Sequence, residues 1–387
     1  MPKAEGYLFC GGGTGGHVLP GLAVAGALRQ RGGQTFRWIG DPARIEAKLV
    51  PAAGIELLPL GLSRPRLANP RWLFSALRQA WGCFRELNRR PPQVVVALGG
   101  YAALLPGLLA PLLRRPLVVM EQNARSGRTN RLLARFADAV VTQFPEARHG
   151  LPAGKISQLG NPVRAITPQE RGRAAGFTVL VMGGSLAAKT LNDLVVNGAG
   201  ALRGTAGLTI IHLAGDEDRA RVAAIYVSHG ITAEVHGFYQ DMPALYRRVD
   251  LAITRAGATT VAELCAAGIP ALYVPLPWAA DDHQTANAQA VARVGGALVL
   301  RQGDTSPEQV AAWIARLAAD RGLVARMGLA AVSLARPEAA NQVASLVQSL
   351  DLRSSRNQHA SRRAVARDRA QRGVLSGRAV GRSRSTP

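Results

Sequence analysis

Seven residues near the amino terminus, Gly11-Gly12-Gly13-Thr14-Gly15-Gly16-His17, combine a backbone that a ligand can touch with an imidazole that can move a proton near neutral pH. They follow an apolar run and precede a helical pattern, and Pro20 fits that helix's first turn. Unpaired N–H groups and the helix dipole favour an anion at such a place by up to ~2 kcal/mol. His17 is the candidate general base and Glu121 the reserve. The same string satisfies G-x-G-x-x-G through Gly11, Gly13 and Gly16, with Asp41 after the second strand, so a nicotinamide-dependent oxidoreductase is a rival reading. A second glycine junction, Gly99-Gly100, follows another apolar run, and a third carries Gly183-Gly184-Ser185, where Ser185 either caps a helix or donates to a phosphate. Further on, Arg255-Ala256-Gly257-Ala258-Thr259-Thr260 leads to Glu263. Thr260 and Glu263 form either a capping box or a helix mouth for a diphosphate with an acceptor for a ribose diol. In the cluster from Asp281 to Asn287, loop polarity accounts for Asp281 and Asp282, less well for Gln284 and Asn287.

These groups need elements to hold them. Short apolar runs at residues 7–10, 35–39, 55–60, 94–98, 117–120 and 139–142 alternate with helical patterns such as 19–31 and 43–53. The rhythm restarts at 178–181, 208–213, 233–236, 251–254, 271–274 and 297–300. Such alternation predicts two doubly wound α/β domains with parallel sheets. The expected bounds are 1–163 and 177–350, with a linker over 164–176 and a long helical stretch, 307–350, closing the second domain. Residues 351–387 are rich in Arg, Ser, Ala and Gly without periodicity, and read as a disordered tail.

Composition narrows the partners. With 387 residues, 48% of them hydrophobic, the chain is long and apolar enough for real cores. The net charge of +22 favours anionic partners: phosphate-bearing substrates, anionic lipid surfaces or nucleic acid. Ten Arg against two Asp lie from Asp351 onward, yet the rest of the chain is still basic. Few aromatics interleave with the basic residues and no recognition motif appears, so nucleic acid is not expected. Cys10, Cys83 and Cys265 read as buried small hydrophobes in a reducing compartment. No signal peptide is expected at the amino terminus. The most apolar stretch, 101–113, falls short of the ~20 residues that span a bilayer and contains Pro106 and Pro111.

Taken in order, GGGTGGH, EQN at 121–123, TN at 129–130, GNPVR at 160–164, GGS at 183–185, RAGATTVAEL at 255–264 and DDHQTANA at 281–288 closely resemble the MurG family, glycosyltransferase family 28. The resemblance spans roughly residues 5–350. It implies a GT-B architecture, two Rossmann-like doubly wound domains facing an interdomain cleft, with the acceptor and membrane on the first domain and a UDP-sugar on the second. The implied reaction moves N-acetylglucosamine from UDP-N-acetylglucosamine to the C4 hydroxyl of the muramoyl sugar of lipid I, with inversion, giving lipid II for peptidoglycan. Donor-binding positions carried over are Thr14, Gly15, Gly16, Asn123, Arg164, Ser185, Tyr239, Thr260, Glu263 and Gln284. Thr260 would meet the phosphates, Glu263 the ribose, and Tyr239 lies where the family's backbone meets the uracil. Two positions depart from the family pattern: Ala187 stands where a glycine is usual and Met120 where members often have His. Another GT-B enzyme, such as a UDP-N-acetylglucosamine 2-epimerase, is the nearer rival.

Inverting transfer needs a base, a stabilised oxocarbenium-like transition state and neutralisation of departing UDP. Asp216-Glu217-Asp218 fits the D-x-D metal signature, but an exposed helix start explains it and the family has no such motif there. Leaving-group stabilisation is therefore assigned to helix N-termini and Arg164, with no cofactor and no obligatory metal. A lipid acceptor implies a membrane-facing surface. Leu73, Leu77, Trp81 and Phe84 recur at helical spacing beside Arg71, Arg78 and Arg85, which suits an anionic bilayer interface, a helix packed on the sheet, or both for different residues. The resemblance places the protein peripherally on the cytoplasmic face of the bacterial inner membrane, with cell-wall synthesis and division proteins as neighbours.

Overall fold

The computed structural model describes residues 5–33, 35–60, 70–163, 166, 176–183 and 188–352. Arg164, Ser185, Ala187, most of the expected linker and nearly all of the expected tail lie outside them.

The first sheet holds β1 (Tyr7–Cys10), β2 (Phe36–Ile39), β3 (Glu56–Leu58), β4 (Val94–Ala97), β5 (Leu117–Glu121), β6 (Ala139–Thr142) and β7 (Ile156–Ser157). Around it lie helices α1 (Gly15–Gln30), α2 (Glu46–Ala52), α3 (Pro70–Arg89), α4 (Leu104–Leu112) and α5 (Arg128–Ala134). The second sheet holds β8 (Phe177–Met182), β9 (Leu208–Leu213), β10 (Ala233–His236), β11 (Leu251–Thr254), β12 (Ala271–Tyr273) and β13 (Ala297–Val299). Its helices are α6 (Ala188–Val196), α7 (Arg219–Ser228), α8 (Met242–Tyr246), α9 (Ala258–Ala267), α10 (His283–Arg293), α11 (Pro307–Ala319) and α12 (Arg321–Val332), and a further helix, α13, covers 339–352. The expected strands appear within two residues of their bounds. Only the two-residue β7, too short to leave a pattern, was not anticipated.

Every pairing is parallel, in the orders β3-β2-β1-β4-β5-β6-β7 and β10-β9-β8-β11-β12-β13. Strands such as Val94–Ala97 and Leu251–Thr254 are buried on both faces, which explains their unbroken apolar runs. The order reverses between β1 and β4 in one sheet and between β8 and β11 in the other. Ligands collect at such switch points, beyond the carboxyl ends of the strands. Cys10 pairs with Ala97 and Met182 with Thr254, so the glycine junctions leave each sheet from one level at the reversal.

Two expectations need correction. First, the stretch 307–350 is not one closing element of the second domain. While α11 and α12 bury Ile314, Leu317 and Val324 in the second core, α13 returns to the first and buries Val343, Ala344 and Val347 beside Tyr7, Phe9 and Leu28. Second, α1 starts at Gly15, so Pro20 lies inside the helix rather than in its first turn. Proline cannot donate to the carbonyl four residues back, and the spared Gly16 oxygen accepts from the Thr259 hydroxyl of the other domain at 3.4 Å. Along α3 the residues divide, as the two readings of its pattern together allow. Cys83 and Leu87 are buried, whereas Leu73, Leu77 and Trp81 are exposed.

All three cysteines are buried, and burial pushes the Cys83 and Cys265 thiols up to about 12. Asp218 of the D-x-D string is occupied by Arg221 at 2.6 Å and by Asn192 at 2.8 Å. Among the described residues, no group of three or more His, Cys, Asp or Glu could hold a metal. Asn192 also accepts from His212, which is fully buried and bonds Tyr226 on its other side, both at 2.9 Å. Burial lowers the His212 pKa to about 3. Unfolded, the ring takes up a proton near pH 6.5, while the folded chain does not until about pH 3. Between those values the unfolded state binds more protons, so this group makes stability fall as pH falls, by up to ~1.4 kcal/mol per pH unit. In His212→Gln the melting temperature is expected to depend less on pH between about 6.5 and 4. An unchanged slope in thermal melts would contradict this.

Candidate active site

A cavity of about 820 Å³ lies between the two sheets, lined by both domains. It gathers Thr14, Gly15, Gly16, His17, Glu121, Asn123, Thr260, Glu263 and Gln284 from the sequence expectations. Tyr239 is not among the lining residues: it is partly buried, edge-on to His236 with ring centroids 5.2 Å apart. Arg164 and Ser185 fall outside the described residues.

On the first-domain side, the His17 Nδ1 lies 3.0 Å from the Gly12 carbonyl oxygen. A carbonyl has no proton to give, so Nδ1 donates and Nε2 carries the lone pair. Nε2 lies where Gly99 lacks a side chain; a Cβ there would come within 3.2 Å of it. Burial lowers the His17 pKa, opposed by Glu121, the Gly12 carbonyl and Glu46. The ring is therefore neutral at neutral pH, as a base must be.

The glycine loop differs from its expected form. Glu46 of α2, a residue the sequence reading passed over, is fully buried behind it. Its carboxylate accepts from the Gly13 N–H at 3.0 and 3.2 Å and from the Asp41 N–H at 3.0 Å. The Gly13 N–H is thus not offered to an anion. A Cβ on Gly12 would sit 2.1 Å from Glu46 Oε1, so that glycine makes room for a carboxylate rather than for a ligand. Gly15 and Gly16 do line the cavity.

Glu121 is also reassigned. Its Oε1 accepts from the Asn123 N–H and side-chain amide at 3.0 and 3.1 Å, and its Oε2 from the Gly127 N–H and Asn130 amide, both at 2.9 Å. A carboxylate filled by four donors organises the loop 121–130 and is poorly placed to take a proton.

On the second-domain side, α9 begins after Gly257, and no side chain caps it. Thr260 is therefore inside the helix, and the capping-box alternative fails. The Glu263 Oε2 accepts instead from the Tyr246 hydroxyl at 2.8 Å. The uncapped first turn leaves N–H groups for an anion, beside the cavity-lining Arg255. Gln284 accepts from the Leu276 N–H at 3.1 Å, bracing the loop before α10.

Asn287, the residue that capping did not explain, joins the domains. Its Oδ1 accepts from the Ala124 N–H at 2.7 Å, and its Nδ2 donates to Asn123 Oδ1 at 3.1 Å and to the Ala256 carbonyl at 3.0 Å. Arg128–Asp281 at 3.4 Å and Arg293–Glu146 add ion pairs between the domains.

Two Rossmann-like domains closing on a shared cleft, with a neutral imidazole on one wall and an uncapped helix start on the other, define a GT-B glycosyltransferase. A family model described as the glycosyltransferase family 28 N-terminal domain matches residues 7–142, and one described as its C-terminal domain matches 178–348. The chain belongs to glycosyltransferase family 28. It is 44% identical to the UDP-N-acetylglucosamine--N-acetylmuramyl-(pentapeptide) pyrophosphoryl-undecaprenol N-acetylglucosamine transferase of Thiobacillus denitrificans, over 88% of this chain and 96% of the relative. Among solved structures, MurG of Acinetobacter baumannii is similar with a TM-score of 0.76 and 34% identity, covering 89% of this chain and 99% of that one. A UDP-N-acetylglucosamine 2-epimerase from Listeria monocytogenes reaches a TM-score of 0.65 at 14% identity, over 90% of this chain and 96% of that one, a likeness of fold alone.

Proposed function

We propose that this chain transfers N-acetylglucosamine from UDP-N-acetylglucosamine to the C4 hydroxyl of the muramoyl sugar of lipid I, with inversion, giving lipid II for peptidoglycan. The observation that carries the reading is one cleft holding both His17 with its open Nε2 and the uncapped start of α9 beside Glu263. The name of the Thiobacillus denitrificans relative supports the substrate pair. In this reading the donor lies along α9, with Thr260 at the diphosphate, Glu263 at the ribose, and Gln284, Asn123, Thr14, Gly15 and Gly16 around the sugar. Ser185, Arg164 and Tyr239 are proposed donor contacts from the family pattern. His17 Nε2 takes the proton of the acceptor hydroxyl as it attacks the anomeric carbon from the face opposite UDP. The helix start and Arg164 stabilise the departing diphosphate without an obligatory metal. Labelled donor, a lipid I analogue and excess chelator should yield the labelled disaccharide lipid. Failure of transfer, with calorimetric binding of NAD(H) but not of the UDP-sugar, would favour the oxidoreductase instead.

The acceptor is a lipid, and α3 offers the surface. Leu73, Leu77 and Trp81 are exposed, as is Phe74, which the spacing argument missed; Trp81 stacks on Phe84 with centroids 5.8 Å apart. Arg78 and Arg85 flank them in exposed positions. Among the described residues, no helix is long and apolar enough to cross a membrane. We place the protein peripherally on the cytoplasmic face of the inner membrane, where cell-wall synthesis and division proteins are its expected neighbours. Trp81→Glu with Phe84→Glu should weaken binding to anionic liposomes about tenfold or more. Intact binding in a sedimentation assay would return α3 to an ordinary surface.

A further inference from the structure

We infer that Glu46 is a positioning residue for the base, acting on His17 through one peptide group. The inference rests on the proposed role of His17. Gly12 C=O and Gly13 N–H are the two sides of a single planar unit. The N–H side donates to the Glu46 carboxylate at 3.0 and 3.2 Å, and the C=O side accepts from His17 Nδ1 at 3.0 Å. Carboxylate, peptide and imidazole thus form one hydrogen-bonded chain, in which each bond polarises the next.

The consequence is chemical. A negative charge against the N–H draws the peptide's electrons toward the carbonyl oxygen. That oxygen then holds Nδ1–H more strongly, which fixes the tautomer and stabilises the imidazolium formed when Nε2 takes the acceptor's proton. A carboxylate bonded directly to a catalytic histidine performs the same service; here a peptide stands between them.

The surroundings are built for this carboxylate. It is fully buried, and among the described residues no cation pairs with it. A Cβ on Gly12 would meet its Oε1 at 2.1 Å and one on Gly40 the Glu46 Cγ at 2.9 Å, and Gly13 holds a φ of +89° that turns the peptide between its two partners. The charged groups acting on His17 come from three elements. Glu121 at the end of β5 and Glu46 on α2 favour its protonation, whereas His283 at the start of α10 opposes it, as does burial.

A purely structural anchor would not depend on charge, so the test is Glu46→Gln followed by the nitrogen-15 spectrum of His17. In the wild-type chain at neutral pH the ring is expected as the Nδ1–H tautomer. In Glu46→Gln its titration midpoint should fall by about 1 pH unit, and the acid limb of kcat/KM should move down with it. Turnover on the plateau should drop about tenfold, while UDP-N-acetylglucosamine affinity by calorimetry stays near wild type. Glu46→Asp, with the charge drawn back by one carbon, should fall between the two. An Nε2–H tautomer in the wild type, or an unmoved midpoint in folded Glu46→Gln, overturns the relay. If Glu46→Gln does not fold, the wild-type tautomer and the Glu46→Asp midpoint decide. Normal turnover in His17→Ala would instead remove the base role, an outcome read separately from the spectra.

Discussion

Replacing His17 with alanine is expected to lower turnover by about 10²–10⁴ and to leave donor affinity little changed. The size follows from what the ring supplies. An unassisted sugar hydroxyl is a weak nucleophile, and Nε2 is the unprotonated nitrogen on the first-domain wall, opposite the start of α9. Donor affinity is spared because His17 is not among the proposed donor contacts, and those at the diphosphate and ribose, Thr260 and Glu263 of α9, belong to the other domain. Steady-state transfer with calorimetric titration of UDP-N-acetylglucosamine separates the two quantities. Near-normal turnover would show that the acceptor loses its proton elsewhere. Crowding Nε2 gives an independent arm: the Cβ of Gly99→Ala, forced onto a backbone at φ +102° and 3.2 Å from Nε2, should also depress turnover.

The second large effect is expected at Asn287. Asn287→Leu keeps the volume but strands the buried Ala124 N–H and Ala256 carbonyl and the partly buried Asn123 side chain. Unsatisfied buried groups cost ~1–3 kcal/mol each, so a total of about 3 kcal/mol is a reasonable scale, visible as a lower Tm. Turnover should fall as well, since the same carboxamide ties the Glu121 loop to the turn before α9. Asn287→Asp sharpens the test. It can still accept from Ala124 but cannot donate to Asn123 or Ala256. An Asp variant as stable and active as wild type would show that the donated bonds contribute little.

Much of this was legible from residues alone because it depends on local pattern. Doubly buried parallel strands leave unbroken apolar runs, and the glycine junctions marked both switch points. What was not legible depends on contacts between distant segments. Glu46 looks like any acid in a helix's first turn until folding brings it 33 residues back to Gly13. Glu121 reads as a reserve base because three of its four donors come from a loop with no regular pattern, and the fourth from Asn130 on α5. Thr260 and Glu263 have the spacing of a capping box, but the helix starts three residues earlier than that motif requires. Asn287 was noticed as unexplained, yet two of its three partner residues, Asn123 and Ala124, lie more than 160 residues away, across the cleft.

The return of α13 to the first domain bears on how the chain is made. The amino-terminal lobe emerges from the ribosome before the second, but the strip that Val343, Ala344 and Val347 cover stays open until the second lobe and α13 have been synthesised. A nascent first lobe therefore carries an oily seam through most of translation. A fragment ending near residue 163 would keep that seam for good, and should be rescued in solubility by a separately supplied peptide spanning 339–352.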